Sequence, residues 1–252
     1  MSFTDDGPDA GESPFRKPLF VASAGFLLAV VLLAAFVIMT TNGEDGGDTD
    51  AAPAAPSSPA HSAAPDAEAG NCPKLTDTST ELPALAPSGV TWDLFRTLAL
   101  PASKASGPAV VEGDVARCYA RTPTGALLAA AQISSRSMLA TDWRAVMKAQ
   151  TYGDARDALI KKRAAAEKKS PAPDPEPGEL GQFAGYRFVT YSKNTAVVEL
   201  VTRFNQPEIL QVSTVTLRWS DTADDWQYEI AQAHAEPHTV DSLAGYVKWG
   251  GV

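Results

Sequence analysis

Few residues in this chain are of types and spacings that support chemistry. His234 and His238 stand four apart in "QAHAEPHTV" with Glu236 between them, the spacing that would put two imidazoles on one helical face for a metal. Pro237 interrupts that helix, and no second Cys or His pair completes a four-ligand set. Asp221, Asp224 and Asp225 form a carboxylate cluster just ahead of Trp226, but aspartates this close together more often hydrogen-bond their own backbone and shape a turn. Glu199 and Glu229 lie in strand-like stretches, where alternation places them away from most of the large apolar side chains. Lys161, Lys162, Arg163, Lys168 and Lys169 give one helical segment a basic face, which would attract an anionic partner and is also how a solvated helix face looks. No nucleophile elbow, Walker loop, dinucleotide-binding glycine set or zinc-protease motif occurs, so no catalytic residue, cofactor site or metal site is assigned.

Cys72 and Cys118 are the only two cysteines. They lie outside any C-x-x-C motif, which argues against redox or zinc chemistry and leaves two readings: a disulfide in an oxidising compartment, or two separate thiols.

The compartment is decided upstream. From Leu19 to Met39 run 21 residues without a charge, enough at about 1.5 Å per residue to cross a bilayer core of about 30 Å. A cleavable leader has a shorter apolar core and a small-x-small site after it, whereas this run ends in Val-Ile-Met-Thr-Thr-Asn, so a retained anchor is expected. Arg16 and Lys17 abut the run on its N-terminal side. No Lys or Arg follows before Lys74. The positive-inside rule then keeps residues 1–18 in the cytoplasm and exports everything after a transmembrane helix at 19–40. Residues 41–70 ("TNGEDGGDTDAAPAAPSSPAHSAAPDAEAG") hold no aromatic and no Ile, Leu, Val or Met, and are expected to form a disordered, Ala/Pro-stiffened tether in which His61 stands alone.

Of the net charge of −9, most sits early: two basic and ten acidic residues precede Asn71, leaving 19 basic against 20 acidic in residues 71–252. A domain this near neutrality lacks the clustered positive charge of a nucleic-acid binder.

Within 71–252 the pattern predicts an α+β domain. Thr91–Leu100 ("TWDLFRTLAL") reads as a helix stopped by Pro101. Thr122 and Pro123 read as cap and first residue of an Ala/Leu-rich central helix running to about Met138. A second helix is expected from a cap at Thr141 or Asp142, burying Trp143, Val146 and Met147, and a third over Asp154–Lys169. Four β-branched and aromatic runs, "AGYRFVTYS", "TAVVELVTRF", "ILQVSTVTLRWS" and "DDWQYEIAQ", then predict a four-stranded antiparallel meander with one apolar face for the helices to cover.

A short tail, one span, a tether, and then helices followed by the meander "YRFVTYSKNTAVVELVTRFNQPEILQVSTVTLRWSDTADDWQYEI" resemble the single-span scaffold subunits of type IV secretion and conjugation machines, over Phe15 to about Gln232. The Ala/Pro tether is similar to that of actinobacterial members on integrative conjugative elements. The resemblance implies helices packed on a curved four-stranded antiparallel sheet in a nuclear-transport-factor-like or cystatin-like, cone-shaped domain outside the cell membrane. It implies a non-enzymatic assembly component working through protein contacts with other transfer proteins and with copies of itself. It assigns no residue a role, and the Asn-Pro-x-Gly turn of the Gram-negative relatives is missing. Two alternatives use the same fold: a ligand-sensing ectodomain, and an isomerase- or dehydratase-like enzyme with an interior carboxylate or tyrosine.

Overall fold

The computed structural model describes residues 72–251 apart from 172, 174, 177, 206 and 207. The expected cytoplasmic tail, the membrane span with its flanking Arg16 and Lys17, and the tether with His61 lie outside the described residues. Among the described residues no helix is long and apolar enough to cross a membrane.

The domain is α+β, and its core forms where a central helix meets a mixed sheet. Helix α1 (Pro123–Leu139) starts where the residue types require: Thr122 Oγ1 accepts the Gly125 N–H at 3.1 Å, and Pro123, which has no N–H to satisfy, takes the first turn. Every residue from Ala126 to Ala131 is fully buried, as is Ile133. A helix hidden on nearly all sides needs small side chains to approach its neighbours, and the Ala-rich run supplies them. Its start is tighter still: a Cβ on Gly125 would stand 2.0 Å from the Ala120 carbonyl oxygen.

Four long strands follow the expected meander: β6 (Gln182–Tyr191), β7 (Thr195–Asn205), β8 (Glu208–Ser220) and β9 (Asp225–Glu229), each antiparallel to the next. Ala196, Val198 and Leu200 of β7 and Val215, Leu217 and Trp219 of β8 join α1 in one core cluster with Tyr186 and Trp226. Register shifts at Phe183/Gly185 and Phe188/Thr190 mark bulges in β6, which bend the sheet over the helix.

The sheet is larger than four strands and not purely antiparallel. A two-residue strand β5 (Thr151–Tyr152), which follows α2 (Trp143–Gln150), pairs parallel with β9. β10 (His238–Val240) pairs with β8, and β11 (Val247–Lys248) pairs with β6. These additions are two or three residues long, too short for an alternation pattern to show in the sequence. Tyr246, just before β11, reaches Glu199 on the second face, and Val201 and Val212, on that side away from α1, are fully buried too.

The helix expected over Thr91–Leu100 is instead a hairpin, β1 (Val90–Phe95) with β2 (Leu98–Ser103). Arg96 turns the chain at φ 56°. Pro101 does not break β2, because it lies three rows from the closing Phe95–Leu98 pair, where ladder alternation turns its nitrogen away from Trp92. Tertiary packing overrides the local pattern: Leu98 and Leu100 enter the core, and Gln132 of α1 donates to the Pro101 carbonyl at 3.0 Å. A second small hairpin, β3 (Val110–Glu112) with β4 (Val115–Arg117), leads to Cys118.

Helix α2 is capped by Asp142, whose Oδ1 accepts from Ala145 N at 3.1 Å, and buries Trp143, Val146 and Met147 as its spacing predicts. Helix α3 (Arg156–Lys169) begins two residues later than expected, since Asp154 accepts the Gln232 N–H at 3.2 Å instead of capping the helix.

Candidate functional site

The Asp cluster separates into unrelated roles. Asp221 is exposed and pairs with Arg121 at 3.2 Å. Asp224 turns the backbone at φ 50°. Asp225 does not merely shape a turn: it is buried, and its two oxygens accept from Cys118 N at 2.7 Å, Tyr119 N at 2.9 Å and Trp226 N at 2.9 Å. Burial pushes its carboxyl up to about 6, against the pull of those three donors. Burial, and then Asp225 itself, also push Tyr119 well above the ordinary tyrosine range. A carboxyl beside a tyrosine has the makings of an acid–base pair, but the carboxyl is spent on backbone amides and Tyr119 Oη donates to the Ala116 carbonyl at 2.8 Å. The arrangement is a structural cap.

The same corner holds the two cysteines. Cys72 and Cys118 are joined, with Cα atoms 5.3 Å apart and a separation of 46 positions in sequence. Close by, Asp77 Oδ2 accepts from Ser106 Oγ at 2.8 Å and from Thr122 Oγ1 at 2.6 Å, tying the first described residues to the cap of α1.

Glu199 lies on the sheet face away from α1, as its alternation requires, but that face is covered there. One oxygen takes Arg187 Nη2 at 2.7 Å, Arg187 Nε at 3.0 Å and Tyr246 Oη at 2.9 Å. Burial first, and then this hydrogen bond, raise Tyr246. The triad clamps the segment before β11 onto the sheet. Glu229 lies at the end of β9 against Tyr152, which burial and the Glu229 charge both raise.

His238 opens β10 opposite Val212, while His234 lies in the bend before it, so the two imidazoles do not share a helical face. Among the described residues no group of three or more His, Cys, Asp or Glu is placed to hold a metal ion. The basic helix is divided: Arg163 donates to the Ser137 and Met138 carbonyls at 2.6 and 2.8 Å and stacks over Trp143 at 4.2 Å. Lys161, Lys168 and Lys169 are exposed.

A concavity that can receive another molecule lies where sequence patterning gave no signal. At the start of β6 the bulge at Ala184 turns the strand, and the Ala184 carbonyl takes the Trp249 N–H at 3.0 Å. Trp249 then packs against Trp92 of β1, ring centroids 4.9 Å apart and tilted by 60°, with Phe183 at 6.2 Å. Gly251 fits against the Trp92 ring so closely that a Cβ there would stand 2.7 Å from it. The result is an open groove of about 670 Å³, with Pro87, Val90, Trp92, Trp249 and Leu243 as apolar walls and Arg203 and Lys248 as exposed cations. Among the described residues no acidic one lines it.

A family model described as "Domain of unknown function (DUF8175)" matches residues 54–248, more than three quarters of the chain. The chain belongs to this family. No curated protein and no solved structure matches it. The DUF8175 match takes in the cysteine pair, the Asp225 cap and Trp92, while Trp249 falls one residue beyond it.

Proposed function

We propose that this protein is a membrane-anchored scaffold of a cell-envelope machine, serving DNA transfer of the conjugative, type IV secretion-like kind and acting through protein contacts rather than catalysis. In this reading Leu19–Met39 holds it in the cell membrane as a single span, Arg16 and Lys17 keep the N-terminus cytoplasmic, and residues 41–70 carry the α+β domain outside. The nuclear-transport-factor-like or cystatin-like likeness belongs to the same proposal. Its partners are other envelope and transfer proteins and further copies of the chain.

One observation carries the reading. The concave face of the sheet, where an enzyme on such a fold would keep its pocket, is filled by the buried Ala126–Ala131 run and Ile133 of α1 against Tyr186, Leu217 and Trp226. The buried carboxylate nearest to it, Asp225, is occupied by three backbone amides. A filled interior whose buried carboxylate is committed to backbone amides supports a body that works at its surface.

The test is recovery of the full-length chain from membranes after crosslinking in cells. The expected result is co-recovery of a transfer ATPase or channel subunits, together with loss of DNA transfer when the gene is deleted. Recovery without envelope partners, or turnover of a small metabolite by the chain, would overturn the proposal.

A further inference from the structure

We infer that the Trp92–Trp249 groove is a docking site for an extended, proline-containing acidic segment of a partner protein. This names the chemistry of one partner and rests on the scaffold reading above.

Three features of the groove fit that occupant. Its walls are one half-buried ring and small apolar groups: Trp92, seated on the buried Trp249 ring at 4.9 Å, with Pro87, Val90 and Leu243. Polyproline II segments present flat pyrrolidine faces and unpaired carbonyls, and dock against an accessible aromatic ring at little ordering cost because they are already extended.

The charge is one-sided. Arg203 and Lys248 are both exposed, and among the described residues the lining offers them no carboxylate. Alternation puts both on the same sheet face, since Arg203 pairs with Gln182, while Lys248 pairs with Gly185, which itself faces Val201. They flank β6 on opposite sides, three residues apart along it, a separation of about 14 Å from strand rise and spacing. A polyproline II helix rises about 3.1 Å per residue, so acids about four residues apart, with prolines between, would meet both cations.

The bulge at Ala184 supports the same assignment, because bulges gather near sites where a strand must re-aim its side chains.

The experiment uses the full chain in detergent micelles and the fluorescein-labelled peptide acetyl-(Ala-Pro-Asp-Pro)5-amide, read by anisotropy. Saturable binding is expected, weakening steeply with added salt. Replacing each proline of the peptide by glycine should weaken it about tenfold, and replacing each aspartate by lysine should abolish it. Trp92→Ala and the double variant Arg203→Ala/Lys248→Ala should each cost about tenfold in Kd, while Lys193→Ala leaves it unchanged. The double variant changes two exposed side chains and so keeps the test valid should Trp92→Ala fail to fold.

Equal binding by polyglutamate, equal binding by the double variant, or stronger competition by a glycerol-phosphate polymer would each overturn the assignment. If the peptide does not bind but envelope partners are still recovered from cells, the groove assignment falls and the scaffold stands. If the peptide binds and no envelope partner is recovered, the scaffold reading falls.

Discussion

Asp225 shows what one side chain can decide. Its carboxylate closes the backbone of Cys118, which has φ 69°, and of Tyr119, and without it three buried N–H groups would be left unpaired. Asp225→Ala is therefore expected to destabilise the domain by about 3–5 kcal/mol, measured by urea unfolding. The pH dependence follows from burial raising this carboxyl from 3.8 to about 6. Between those values the folded chain retains a proton that the unfolded chain has lost. Stability from this group is thus full below about pH 4 and falls as pH rises through about 6, by up to about 3 kcal/mol. Asp225→Asn should flatten that slope, which a series of unfolding curves from pH 4 to 7 would show. The residue was visible in the sequence only as one member of an aspartate-rich turn. Nothing local separates it from Asp221 and Asp224, since two of its three donors lie more than a hundred positions away in the chain.

Elements with their own periodicity or cap were legible: α1 from Thr122 and Pro123, α2 from Trp143, Val146 and Met147, and β6 to β9 from alternation. The β1–β2 hairpin was not, because "TWDLFRTLAL" satisfies a helical spacing as well as a strand one and only the core contacts of Leu98 and Leu100 choose between them. Helix α3 makes the opposite point. It contains no fully buried residue, and its ties to the domain include the Arg163 bonds to the end of α1 and the Arg163 ring contact on Trp143. Arg163→Ala should speed amide hydrogen exchange along α3 while moving global stability by less than about 1 kcal/mol, as expected of a peripheral unit that opens separately. Gly125→Ala acts at a tighter joint: a Cβ 2.0 Å from the Ala120 carbonyl must displace backbone, and a loss of about 2–4 kcal/mol with a lower thermal midpoint is expected.

For the whole molecule, a covalent link adds to packing. The Cys72–Cys118 bridge closes a loop of 46 residues that contains both β1–β2 and β3–β4. Loop-closure entropy makes it worth about 4 kcal/mol, so Cys72→Ser, or reductant, should lower the urea midpoint by that equivalent. Topology is tested on the same scale: a phosphatase reporter fused after residue 252 should be active outside the cell, and Arg16→Glu/Lys17→Glu should reduce that activity. By itself the sequence determined the α+β class, the central helix, the order of the long strands and the near-neutral charge of residues 71–252. Each of these is written in patterns several residues long, where hydrophobic burial and capping act on neighbours in the chain. Tertiary structure alone decided the mixed sheet, the Asp225 cap, the Glu199 clamp and the groove between Trp92 and Trp249. Those depend on contacts between residues dozens to more than a hundred positions apart, whose energies are realised only once the chain has closed on itself.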